Sequence, residues 1–185
     1  MDVLEAIKGR RSIRAFKRQN VSQELVEKMI DAAIWAPSAG NIQPWEFIIV
    51  RRLEIKRELA EAALQQKFVE EAPVVIVVCA DENRSSQRYG VRGKSLYCIQ
   101  DTAAAVQNIN LAACSLGLGT CWIGAFREKE ARKILRVPRG VRPVAIIPVG
   151  YPAETPPPRS RRPSNNVIHY ETFSKRLGQT KKEIN

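Results

Sequence analysis

From Thr102 to Phe126 the chain runs for twenty-five residues without a charged side chain. A stretch of that kind must be buried, and what buries it constrains the rest of the fold. Crossing a bilayer takes roughly 20 predominantly apolar residues in one helix. Here Gln107, Asn108, Asn110 and Ser115 interrupt the run, and Gly117 and Gly119 break its end. It reads instead as a long helix, Leu96 to Leu116, followed by a short buried strand, Thr120 to Gly124. The helix is apolar on nearly every side, and such a helix must be covered on every side. In a chain of 185 residues the expected cover is a second copy of the chain.

The remaining pattern alternates helices and strands without a strict βαβ order. Asp2 caps a short helix carrying Val3, Leu4 and Ile7, which Gly9 stops. Ser22 opens a second helix, Gln23 to about Trp35, with Leu25, Met29, Ile30, Ala33 and Ile34 at helical period before Pro37. Helices are also expected over Glu54–Gln66 and Glu128–Arg136. Strands are expected over Trp45–Val50, Val74–Cys79 and Pro143–Gly150, with the unbroken apolar Val74–Cys79 inside the sheet. Residues 81–94, polar and rich in Arg, Ser and Gly, read as a loop. The fold class expected is α+β, a mixed sheet flanked by helices. One domain is expected over residues 1–170, with a polar tail over 171–185.

Four cysteines, Cys79, Cys98, Cys114 and Cys121, are too sparse for a disulfide scaffold. They read as reduced thiols of a cytoplasmic protein. The amino-terminal MDVLEAIKGRRS puts charges where a signal segment needs apolar residues, so neither export nor a membrane partner is expected. The net charge of +11 raises the question of nucleic acid. Residues 1–20 supply +4 of it and residues 156–185 supply +5. No basic helix face interleaved with aromatics appears, nor an RNA-recognition or zinc-finger spacing. A basic nucleic-acid-binding module is therefore a remote alternative, and nucleic acid is not an expected partner. The charge at the ends is either two solvated tails or two ends converging on one anion.

Several apparent motifs dissolve on inspection. Gly93-Lys94-Ser95 looks like the end of a P-loop, but the position five before its glycine is Arg88. Gly117-Leu118-Gly119 starts a dinucleotide fingerprint, yet the third glycine position is Trp122 and the segment follows a helix. No Cys or His pair has metal-ligand spacing, so no metal is expected. The single histidine, His169, does not suit a hydrolytic triad.

Three segments remain that carry chemistry without an obvious nucleophile. Arg10-Arg11-Ser12-Ile13-Arg14 sets three cations and a hydroxyl in five residues, and guanidinium groups grip phosphate oxygens bidentately. Ala36-Pro37-Ser38-Ala39-Gly40-Asn41-Ile42-Gln43-Pro44-Trp45 offers amide donors and acceptors that suit a planar heterocycle, and it also suits a plain helix-to-strand loop. Pro158-Arg159-Ser160-Arg161-Arg162-Pro163 is a second cationic group, held extended by prolines.

Together these segments resemble the FMN-dependent nitroreductase family, and the resemblance covers almost the whole chain. Arg-Arg-Ser-x-Arg-x-Phe, Ala-Pro-Ser-x-x-Asn-x-Gln-Pro-Trp, Gly-Leu-Gly-Thr-Cys-Trp-Ile-Gly and Pro-Arg-x-Arg occur here in family order. The resemblance implies an intertwined homodimer with FMN sites at its interface, and NAD(P)H as co-substrate. Carried over by position, Arg10, Arg11 and Ser12 hold the FMN phosphate together with Arg159 and Arg161. Arg14 lies toward the ribityl chain and the N1–C2 edge. Ser38, Asn41 and Gln43 contact the cofactor, some of them from the partner subunit, and Ile123 and Gly124 present backbone near N5. Gln66 stands near the place of a further flavin contact. The implied activity passes hydride from NAD(P)H through the flavin to a nitroaromatic, quinone or similar small-molecule acceptor, in ping-pong order, with no protein side chain as an obligatory catalytic acid or base. The chief alternative is another flavin chemistry on the same fold: oxygen-dependent flavin cleavage, dehalogenation or peptide oxidation.

Overall fold

In the computed structural model, which describes residues 1–173, every residue from Val74 to Ala80 is buried. Successive strand side chains point to opposite faces. Val74, Ile76 and Val78 therefore enter one hydrophobic core and Val75, Val77 and Cys79 another. A strand covered on both faces needs the unbroken apolar run that the sequence provides. This strand, β2 (Val74–Asp81), pairs with β1 (Trp45–Val50) on one side and β4 (Val141–Gly150) on the other. The two-residue β3 (Gly119–Thr120) pairs beyond β4, giving the order β1-β2-β4-β3.

All these ladders are antiparallel. The mixed character expected of the sheet shrinks to one isolated parallel bridge, Ser12 to Thr120. The strand expected over Thr120–Gly124 is likewise shorter. It pairs only at Gly119–Thr120, and a single further bridge joins Ile123 to Ile146.

Helices α2 (Gln23–Ile34) and α6 (Cys98–Ser115) cover the first face of the sheet. Helices α3 (Leu53–Ala62), α4 (Phe68–Glu71) and α7 (Glu128–Ile134) cover the second. The short α1 (Val3–Gly9), with a capping box between Asp2 and Glu5, rests on α6. Ser22 caps α2 through its Oγ, which accepts the Leu25 N–H at 3.3 Å. Helix α3 stops at Ala62, short of the expected Gln66. Leu64 and Gln65 adopt φ of +59° and +61°, which no helix can continue.

Residues 81–94 correct the sequence reading. They form helix α5 (Glu82–Arg92) and enter a π-helical turn, Gly93–Tyr97, that leads into α6. Asp81 caps α5 by accepting the Arg84 N–H at 2.9 Å. The helix buries only Ser85, so it carries no apolar stripe by which periodicity could reveal it.

Helix α6 is half covered by its own chain. Ala105, Val106, Ile109 and Ala113 lie in the core, while Ala103, Gln107 and Leu111 on the other side are only half-buried. Beside that outer side stand exposed apolar residues of α1 and the end of α2, above all Trp35, 85% exposed. All four cysteines are free thiols, and Cys79, Cys98 and Cys121 are buried. Among the described residues no helix is long and apolar enough to cross a membrane. The tail expected over 171–185 lies, from residue 174 onward, outside the described residues.

Candidate active site

The basic segments at 8–14 and 159–161 meet because the backbone zips the chain together beside them. After β4, Pro152 bridges Phe16 in antiparallel fashion. The Lys17 N–H donates to the Tyr151 carbonyl at 2.8 Å and the Ala153 N–H to the Ala15 carbonyl at 2.9 Å. Glu154 then accepts the backbone N–H groups of both Arg14 and Ala15 through one carboxylate oxygen. On the other side, the Ile13 N–H donates to the Thr120 carbonyl at 2.9 Å, fastening the same segment to β3. Gly119 permits that approach, because a Cβ there would stand 2.6 Å from the Ile13 side chain.

The result is a cavity of about 490 Å³ lined by Lys8, Arg10, Arg11, Ser12 and Arg14 from one end and by Pro156–Pro158, Arg159 and Arg161 from the other. Among the described residues no carboxylate lines it. Its volume lies in the ~300–1,000 Å³ range of small-molecule and cofactor sites. The arginines are not equivalent. Arg11 Nη1 folds back onto the carbonyls of Lys8, Gly9 and Arg10 at 2.7, 3.1 and 3.0 Å, offsetting the negative end of α1. Arg161 Nη1 turns onto the carbonyls of Arg159 and Ser160, each at 3.0 Å. Arg10 and Arg159 make no hydrogen bond or ion pair through their guanidinium groups among the described residues. Their donors remain available to an anion.

Arg14, also on the cavity lining, sets its guanidinium carbon 6.0 Å from the centre of the Phe68 ring. Gln66 Nε2, in the same quarter, donates to the carbonyls of Ala63 at 2.7 Å and Ala125 at 3.3 Å. Ile123 is buried while Gly124 is exposed, and a Cβ added at Gly124 would meet nothing within 4 Å. Backbone at Gly124 is thus open to a ligand. Beneath, burial pushes the Cys121 thiol above its usual range, partly offset by Arg14, Ser12 and Arg10. A buried thiol shifted in that direction is disfavoured as a thiolate nucleophile.

Ser38, Asn41 and Gln43 gather elsewhere and do not line the cavity. Ser38 Oγ accepts the Gln43 N–H at 3.0 Å, and Gln43 Nε2 donates to Asn41 Oδ1 at 3.1 Å. The loop bends through Gly40, Asn41 and Gln43, all at positive φ, a strained backbone of the kind that clusters at ligand sites. Asp101 fastens it, accepting the Ala39 N–H on Oδ1 at 3.1 Å, while its buried Oδ2 has no hydrogen-bond partner among the described residues. Burial holds that carboxyl above its ordinary value, with the Ala39 bond opposing.

The sequence pattern of the Nitroreductase family matches residues 7–69 and 63–151. The chain belongs to the nitroreductase family. It is 43% identical over 160 residues to a protein of Methanothermobacter thermautotrophicus named as an NADH dehydrogenase/NAD(P)H nitroreductase, spanning 84% of this chain and 80% of that one. It is 32% identical over 186 residues to an FMN reductase [NAD(P)H] of Bacillus subtilis, spanning 93% and 74%. Its fold superposes with a TM-score of 0.86 on the NADPH:FMN oxidoreductase of Vibrio harveyi, solved with NAD+, at 28% identity and covering 96% of this chain and 80% of that one.

Two residues that hold the site in shape belong to no motif in the sequence. Glu154 is the lone acid between Tyr151 and Tyr170, and that isolation amid basic and proline residues was the available signal. Asp101 is the last charge before the uncharged stretch, a place where a carboxylate needs a reason to be.

Proposed function

We propose that this nitroreductase-family chain binds FMN and passes reducing equivalents from NAD(P)H to a nitroaromatic, quinone or similar acceptor in ping-pong order. The observation that carries the reading is the convergence of both cationic ends on one cavity free of carboxylates among the described residues. A doubly charged phosphate monoester needs several guanidinium groups to offset its desolvation, and this cavity offers them. FMN, when bound, supplies the hydride-accepting and hydride-donating ring.

The chain's own residues bind, orient and neutralise. Arg10 and Arg159 grip the phosphate, Ser12 adds a hydroxyl, and Arg11 and Arg161 contribute charge from guanidinium groups already tied to backbone. Arg14, on the same lining and beside the Phe68 ring, would offer a cation to the edge of a bound flavin ring. The exposed backbone at Gly124 would receive the ring, and buried Ile123 would help keep water from beneath it. No side chain acts as an obligatory acid or base.

Ser38, Asn41 and Gln43, which stand apart from their own chain's cavity, would reach the ring bound by a neighbouring copy. We infer a homodimer built on the outer side of α6 together with Trp35, Val3, Leu4 and Ile7, all exposed in one chain. Four free thiols suit the reducing cytoplasm. Reconstitution tests the reading: the protein should take up FMN stoichiometrically and bind riboflavin, which lacks the phosphate, far more weakly. Equal affinity for the two overturns it.

A further inference from the structure

Helix α5 was invisible to periodicity because it is polar, and it is also unusually cationic. Arg84 and Arg88 stand four residues apart, on one face. Past a kink at Gly90 (φ 53°, ψ −138°) comes Arg92. Like charges at i,i+4 disfavour a helix, and here no acid relieves them. The ion pair on this stretch joins Lys94 to Glu82 at 3.6 Å, while Arg84, Arg88 and Arg92 make none among the described residues.

We propose that Arg84, Arg88 and Arg92 form an anion site for the 2′-phosphate of NADPH, the group that distinguishes it from NADH. The proposal rests on the functional reading above, because it is the loop at Ser38–Gln43 that places α5 beside the flavin. Arg84 Nη1 donates to the Gln43 carbonyl at 3.2 Å and Arg88 Nη1 to the Gly40 carbonyl at 3.3 Å. Each guanidinium has five N–H donors, so most remain for a ligand. The approach is built in. A Cβ on Gly40, itself at φ +56°, would stand 2.5 Å from Tyr89 Oη and 2.9 Å from Arg88 Nη1.

The cations are also held in place and flanked by aromatic rings. Arg88 lies 5.5 Å from the centre of the Tyr89 ring, and Arg92 lies 5.3 Å from that of Tyr97 while donating to its hydroxyl at 2.9 Å. The two tyrosine rings meet edge to face at 5.2 Å. Guanidinium groups held against rings keep their planes defined, which suits bidentate recognition of a phosphate. A donor stacked on a flavin beside loop 38–43 would have this cationic face within reach of its ribose phosphate.

The test uses the FMN-loaded protein and two fragments that cannot donate hydride, ADP-ribose and its 2′-phosphate, with binding measured by calorimetry. The parent should bind the 2′-phosphorylated fragment about tenfold or more tighter, and Arg84→Gln/Arg88→Gln should close that gap, since charge-assisted bonds are lost. The ratio of kcat/KM for NADPH to that for NADH should fall by the same factor, and Arg88→Lys should keep part of it. Removing two charges elsewhere, with Lys129→Gln/Lys133→Gln, should leave the gap open. A flavin-loaded parent with no gap, or a gap that the double variant does not change, overturns the anion site. A parent that takes up no FMN overturns the functional reading instead.

Discussion

Replacing Arg159 by alanine should weaken FMN binding by about 10- to 150-fold and leave the fold intact. The side chain is exposed on a proline-held arm, lines the cavity opposite Arg10, and makes no hydrogen bond or ion pair among the described residues. Its truncation therefore removes no packing and orphans no buried partner. What it removes is one charge-assisted hydrogen bond to phosphate, worth roughly 1.5–3 kcal/mol, which is about 10- to 150-fold in affinity. Arg10→Ala should behave alike. Arg11→Ala should cost less FMN affinity, because Arg11 Nη1 is already engaged by three carbonyls. Two arginines on one phosphate should also couple, so the double variant Arg10→Ala/Arg159→Ala should depart from additivity by about 0.5 kcal/mol or more. The assay is titration of the apoprotein with FMN and, in parallel, riboflavin, followed by flavin fluorescence. Unchanged FMN affinity in both single variants refutes the convergence of the two ends on one phosphate. A parallel loss of riboflavin affinity refutes it too, since riboflavin has no phosphate to lose.

Three further outcomes follow from particular contacts. Asp101 keeps its proton longer in the folded state than in the unfolded one. Its contribution to stability relative to Asp101→Asn should therefore fall as pH rises from its unfolded value, about 3.9, through the raised folded value, and then level off; denaturant titrations with the opposite slope contradict this. Gly93→Ala would drive a Cβ onto the Ser85 carbonyl and should cost about 1–3 kcal/mol, whereas Gly9→Ala, with nothing within 4 Å, should stay within about 0.5 kcal/mol. Trp35→Asp should shift the native mass from dimer to monomer and lower FMN occupancy with it; an unaffected dimer would mean that this face is not the interface.

How far the sequence could be read depends on which forces its residues reveal. Strand β2 was legible because burial on both faces leaves an unbroken apolar run. Helix α2 was legible through its cap at Ser22 and its apolar period. Helix α5 was hidden because its stability comes from Asp81 at its start and from packing of Ser85 and Gly93, neither of which leaves a periodic trace. The end of α3 was hidden because Leu64 and Gln65 take left-handed φ without glycine to announce it. At the site, residue types marked the two cationic segments, and the charge at both ends pointed to the shared cavity that they line. Residue types could not say which guanidinium groups are engaged by backbone. Arg11 and Arg161 turn onto nearby carbonyls, while Arg10 and Arg159 do not, and that division depends on how the arm after Pro152 zips onto residues 15–17. Ile109, apolar and on α6, could not be told from the outer side of the helix by pattern, yet it lies wholly in the core.

The central claim is that a flavin held by this chain is reduced by NAD(P)H and then reoxidised by a separate acceptor. Anaerobic stopped-flow on the FMN-loaded protein tests it in two halves. NAD(P)H alone should bleach the flavin absorbance, and a quinone, added after the oxidised nicotinamide has left, should restore it. Bleaching that requires the acceptor to be present, or a flavin that NADH and NADPH both fail to reduce, would contradict it.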